Sequence, residues 1–147
     1  MAPFTNGAFF MQEGVKAMAS PITIDRLDHM VLTVADIDAT CDFYGRVLGM
    51  EKVVFAGGRV ALGFGSQKIN LHPAADPYTP RAKNALTGTG DLCLIAETPL
   101  AEVIAHLEAE GVEIIEGPVA KTGATGPITS VYFRDPDENL IEVSNYD

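Results

Sequence analysis

The sequence predicts an α+β protein of two βαβββ modules forming a curved, cup-shaped mixed sheet with helices on the outer face. Three observations lead there. His29, Asp36 and Gly49 recur as Asp91, Thr98 and Gly111 at one interval of 62 residues (91 − 29). In each copy the apolar pattern runs from period 2 to period 3.6 and back, giving strand, helix and three strands. Finally, 147 residues with 47% hydrophobic and 20% charged side chains suit one ordinary globular core, or two small modules sharing a sheet.

Residues 1–20 have no basic stretch followed by an apolar run, so they read as an N-terminal arm and not a secretion signal. The first module is expected over 21–73. Leu27 to Val34 alternates as a half-buried strand. Asp36 then offers an N-cap, and Ile37, Cys41, Tyr44, Val47 and Leu48 trace a helical stripe that Gly49 ends. Lys52–Phe55, Val60–Gly65 and Lys68–His72 read as strands parted by Gly57-Gly58 and Gly65-Ser66. Residues 74–89, rich in Pro, Gly and Thr, form an inter-module arm that is long for a simple tether.

The second module is expected over 90–147. Asp91–Ala96 is a strand; Thr98 and Pro99 start a helix with Leu100, Val103, Ile104 and Leu107 as its stripe; Gly111 stops it. Strands follow at Val112–Ile115, Ile128–Arg134 and Asn139–Asn145, with a Gly/Thr-rich loop from Gly117 to Pro127. That loop accounts for the longer interval of 70 between His72 and Glu142 (142 − 72).

A formal net charge of −10 and a pI near 4.6 argue against nucleic acid or anionic membrane as partners, because phosphates are repelled. No apolar run approaches the roughly 20 residues of a bilayer span. Cys41 and Cys93 lack metal-type spacing and read as reduced thiols, so a cytoplasmic location and a small-molecule substrate are expected.

Successive strand residues face opposite sides. Met30, Leu32 and Val34 mark the apolar side of the first strand, which leaves His29 on the other. The same parity from Ile69 and Leu71, from Leu92 and Leu94, and from Ile141 and Val143 puts His72, Asp91 and Glu142 on that side too. Two imidazoles and two carboxylates are a ligand set for a divalent metal, with Ni, Zn, Mn, Co or Fe all compatible. His106, Arg59, Arg81, Lys83 and Arg134 read as solvated surface residues.

These features resemble the vicinal oxygen chelate superfamily, which includes glyoxalase I, methylmalonyl-CoA epimerase, fosfomycin-resistance thiol transferases and extradiol dioxygenases. The stretches that carry the resemblance are Leu27-Asp28-His29-Met30-Val31-Leu32-Thr33-Val34, Phe43-Tyr44-Gly45-Arg46-Val47-Leu48-Gly49-Met50 and Tyr132 to Glu142, within residues 24–146. In wording the chain is similar to uncharacterised glyoxalase-domain proteins through Lys68 to His72 and Thr122 to Gly126. His29 and Glu142 match the usual first- and last-strand ligands. Position 72 usually holds Glu or Gln and position 91 His, so His72 and Asp91 exchange the placement of nitrogen and oxygen.

The resemblance implies a homodimer and a metal-dependent lyase or isomerase that works through an enediolate, with Glu142 as base and Asp91 second. Three alternatives follow. His29, His72 and Glu142 make a two-histidine, one-carboxylate face suited to Fe(II) dioxygenase chemistry. Lys121 with the glycine-rich loop points to thiol transfer onto a phosphonate epoxide. The cup could also serve as a metal-free drug-binding site, which the acidic charge suits for a cationic drug.

Overall fold

The computed structural model describes residues 19–147. All but the last two residues of the expected N-terminal arm lie outside them. In the first module β1 (His29–Val34) leads through α1 (Ile37–Leu48) to β2 (Glu51–Phe55), β3 (Arg59–Phe64) and β4 (Gln67–Pro73). The second module repeats the order as β5 (Asp91–Ile95), α2 (Leu100–Ala109), β6 (Glu116–Thr122), β7 (Pro127–Arg134) and β8 (Leu140–Tyr146). Strand orders are β1-β4-β3-β2 and β5-β8-β7-β6, with β1 parallel to β4 and β5 parallel to β8. This is the paired βαβββ, α+β architecture the repeat predicts.

Local chemistry accounts for the helices. Asp36 caps α1 by accepting from the Ala39 N–H at 3.0 Å, and Gly49 closes it in the left-handed region at φ 69°. In α2 neither Thr98 nor Pro99 supplies a side-chain cap. Asn145 of β8 does so from a distance: its Oδ1 accepts from Leu100 N–H at 2.7 Å while its Nδ2 donates to the carbonyls of Ala96 and Thr98.

The strand expected at Val112–Ile115 is not one. Val112 and Ile114 pack against the core as a connection, and the edge strand β6 instead takes in Glu116–Thr122, the first half of the expected loop. A bulge between Glu116 and Val119 marks its pairing with β7.

Apolar faces of both sheets and both helices join one cluster, with Leu32, Val34, Tyr44, Leu62, Ile69 and Leu71 from the first module and Leu107, Val131, Phe133, Ile141 and Val143 from the second. The junction is also polar. Tyr44 donates to Asp135 at 2.6 Å, Asn139 donates twice to the same carboxylate, and Asn139 Oδ1 accepts from Gly90 N–H. Burial first, and the Asp135 charge second, push the Tyr44 phenol far above its ordinary value, so it stays a donor. A Cβ on Gly90 would lie 2.7 Å from Leu32 Cδ2 and 2.8 Å from Asn139 Oδ1, so any side chain there would displace both of these buried groups where the second module begins. His106 is exposed but not merely solvated: its Nε2 lies 2.9 Å from the Arg46 carbonyl, tying α2 to the end of α1. Among the described residues no helix is long and apolar enough to cross a membrane.

Candidate functional site

Because the core takes Met30, Leu32, Ile69, Leu71, Leu92, Leu94, Ile141 and Val143, the alternate positions face away from it. His29, His72, Asp91 and Glu142 all occupy those positions. Facing is one coordinate and level along the strand is another. His29 pairs with Lys68, whereas His72 pairs with Thr33, four residues further along β1. In the second module Asp91 pairs with Leu140, and Cys93 with Glu142. The residue equivalent to Glu142 is therefore Asn70, two positions past the first pair, and His72 corresponds to Ser144. The interval of 70 joins positions that the pairing does not.

Asp91 and Glu142 line one depression of 370 Å³ with Glu116, Lys121, Tyr132 and Arg134. An adjoining hollow of 410 Å³ runs from Glu142, Tyr132 and Cys93 to the loop residues Thr122, Gly123 and Ala124. Glu142 Oε2 accepts from Ser130 Oγ at 2.6 Å and weakly from Ser144 Oγ at 3.4 Å, and the two hydroxyls lie 2.6 Å apart. Its other oxygen makes no close hydrogen bond among the described residues, although the Tyr132 hydroxyl and Cys93 thiol are near enough to the carboxylate to interact with it. Tyr132 sits directly across the strand from Glu142. Burial first, then the neighbouring Glu142 and Glu116 carboxylates, leave its phenol pushed up to about 12, so it remains protonated at neutral pH. Burial likewise raises the Cys93 thiol, which makes it a poor nucleophile.

On the first module His29 Nδ1 lies 2.7 Å from Asp28 Oδ2, a contact that fixes the ring and leaves Nε2 free. The His29 hydrogen bond holds the Asp28 carboxyl below its ordinary value. His72 is in different company. It is 2% exposed, and its Nε2 lies 3.1 Å from Arg59 Nη2, so the guanidinium donates and the ring proton resides on Nδ1. Burial first, then the Arg59 and Arg81 charges, hold the imidazole below its ordinary value.

Among the described residues no three of His, Cys, Asp and Glu gather around a point that could hold a metal ion. One chain thus brings the two carboxylates into one depression and leaves the two histidines on the other module. Chemically, the His29 ring with an oriented Nδ1 and the second oxygen of Glu142 suit a divalent cation; the surroundings of His72 do not, since a guanidinium occupies its available nitrogen.

Sequence reading missed Ser130, Tyr132, Asn70 and Arg59. Ser130 and Tyr132 carried a signal, polar residues that with Arg134 alternate against the apolar Val131 and Phe133 on a strand beside Glu142. Arg59, read as a surface charge, is instead turned onto the first module's sheet against His72.

Two βαβββ modules with carboxylate- and imidazole-bearing faces opposite a shared core define a glyoxalase-type domain. Residues 26–143 match the family model described as the Glyoxalase/Bleomycin resistance protein/Dioxygenase superfamily, and the chain belongs to it. It is 52% identical over 123 residues to Virulence protein STM3117 of Salmonella typhimurium, covering 84% of this chain and 85% of that one. A crystal structure of that protein superposes with a TM-score of 0.85 over 86% of this chain and all of the other. Glyoxalase domain-containing protein RDO1 of Mycosarcoma maydis is 50% identical over 125 residues, 85% of this chain and 70% of the relative. Lactoylglutathione lyase from Agrobacterium tumefaciens is 26% identical with a TM-score of 0.65, over 84% of this chain and 95% of that one.

Proposed function

We propose that the chain is a divalent-metal-dependent lyase or isomerase of the glyoxalase type, acting on a small substrate with adjacent oxygens. The observation that carries this reading is the setting of Glu142. One carboxylate oxygen is anchored on Ser130 and Ser144, the other makes no close hydrogen bond among the described residues, and Asp91 and a protonated Tyr132 share its depression. Likeness to a lactoylglutathione lyase supports the reaction class.

In this reading His29 of one protomer and Asp91 and Glu142 of its partner would hold the metal in a homodimer, and release of Glu142 would free it to act as base. A bound divalent ion supplies Lewis acidity to two adjacent substrate oxygens. Glu142 takes the proton from the carbon beside the carbonyl and returns it to the neighbouring carbon, while Ser130 keeps the carboxylate aimed. Tyr132, as a donor, steadies negative charge on the substrate oxygen. Lys121, with its Nζ 5.6 Å from the Tyr132 ring centroid, borders the entrance. His72 is assigned to substrate contact, because Arg59 engages it.

Chelated protein reloaded with Ni, Zn, Mn, Co or Fe and assayed with methylglyoxal plus thiols tests the proposal. Glu142→Gln should lower turnover by about 10²–10⁴-fold with an unchanged circular dichroism spectrum. Full turnover by that variant, or oxygen uptake with catechols restored by Fe alone, would overturn it.

A further inference from the structure

Three strands of the first module gather positive charge that no ion pair among the described residues answers; Asp28 feels the Lys68 charge only from a distance, behind its contact with His29. Arg59 Cζ and Lys68 Nζ lie 5.5 Å and 3.7 Å from the centroid of the Phe55 ring, and Tyr78, from the inter-module arm, covers Arg59 with a ring centroid 4.6 Å away. Ion pairs among the described residues form at Arg26, His29, Arg46 and Lys52, never at Arg59 or Lys68. Two cations sharing one ring, in a chain of net charge −10, repel each other unless an anion lies between or beside them.

The same corner holds three buried side-chain polar atoms that have no partner among the described residues: Arg59 Nε, His72 Nδ1 and Asn70 Oδ1. His72 and Asn70 are 2% and 6% exposed, so water is a poor substitute. Buried polar groups are nearly always matched, and a cluster of unmatched ones marks a place built for something else. Arg59 Nε and His72 Nδ1 are both donors. Turning the Asn70 amide over presents a third, because its oxygen and nitrogen are interchangeable in shape.

We propose that this corner, formed by Arg59, Lys68, Asn70 and His72, binds a carboxylate group of a small ligand. The Arg59, Asn70 and His72 donors come from planar groups, which suits two in-plane oxygens, and Lys68 adds its charge. A phosphoryl group has three oxygens to satisfy and usually meets them at a helix N-terminus or a nest of free backbone N–H groups. Here the backbone belongs to β3 and β4, paired with each other through Val60–Leu71 and Ala61–Asn70. The site uses only first-module side chains and holds whether or not Glu142 acts as a base.

Calorimetric titration of the full, metal-chelated chain with succinate and, separately, with inorganic phosphate at low salt tests this. Succinate should bind, and Arg59→Met should weaken it at least tenfold. Lys83→Met, which changes an exposed lysine outside the corner, should leave it within twofold. Circular dichroism checks that each variant folds; if Arg59→Met does not, Lys68→Met should still weaken succinate at least threefold. Absence of succinate binding, tighter binding of phosphate, or equal losses in Lys83→Met and the corner variants would each overturn the proposal.

Discussion

An imidazole that accepts from a guanidinium is held neutral by its surroundings, and His72 is in that position. Its folded-state pKa lies below the ordinary 6.5, chiefly through burial and then through Arg59 and Arg81, and the Tyr78 ring packs edge-on against it at 5.1 Å. The sign of the linkage follows. As pH falls through 6.5 the unfolded chain takes up the proton first, so the stability His72 contributes is complete above that value and is lost as pH drops toward the folded one. Urea midpoints measured between about pH 7.5 and 5 should decline, and His72→Gln should flatten the slope. Equal slopes in the two proteins would show that some other group titrates. Asp28, whose pKa is also lowered, acts at more acid pH and leaves this window alone.

At the scale of elements, a helix can borrow its cap from a strand. Thr98 is in the right place to start α2 yet makes no cap hydrogen bond, and Asn145 on β8 satisfies Leu100 N–H and two carbonyls at once. Asn145→Ala should cost about 1–2 kcal/mol of unfolding free energy by urea denaturation. Thr98→Ala should stay within about 0.5 kcal/mol, and the reverse order would refute this capping. The same example explains what could be read from the chain. Helix α1 was legible because Asp36 and Gly49 lie at its own ends. The cap of α2 was not, since its partner is 45 residues away. Strand β6 was hidden for another reason: an edge strand with nearly every side chain exposed has no alternation to display, and Val112 and Ile114 alternated without pairing. Site residues divide in the same way. A two-residue slip preserves parity, so the face of His72 was legible while its level, set by pairing with Thr33, was not.

The two sheets have four edge strands, β1 and β2 in one and β5 and β6 in the other. Val31 of β1 and Ile95 of β5, on the same faces as His29 and Asp91, are 43% and 52% exposed. Long edges bearing apolar side chains invite pairing, and a second copy related by a two-fold axis meets both at once, β1 to the partner's β5. In the proposed reading such a dimer would bring His29 of one protomer toward Asp91 and Glu142 of the other; among the described residues of a single chain no such cluster forms. Light scattering should therefore report a dimer, and Ile95→Asp should shift it toward monomer. A stricter consequence concerns two dead variants. If the centre is shared, a mixed dimer of His29→Ala and Glu142→Gln chains concentrates both lesions in one site and leaves the other intact. Random re-association then makes half the dimers mixed, so about a quarter of wild-type activity and metal content should return. If each centre is built from one chain, mixing restores nothing, and the shared-site reading fails even where the dimer itself survives.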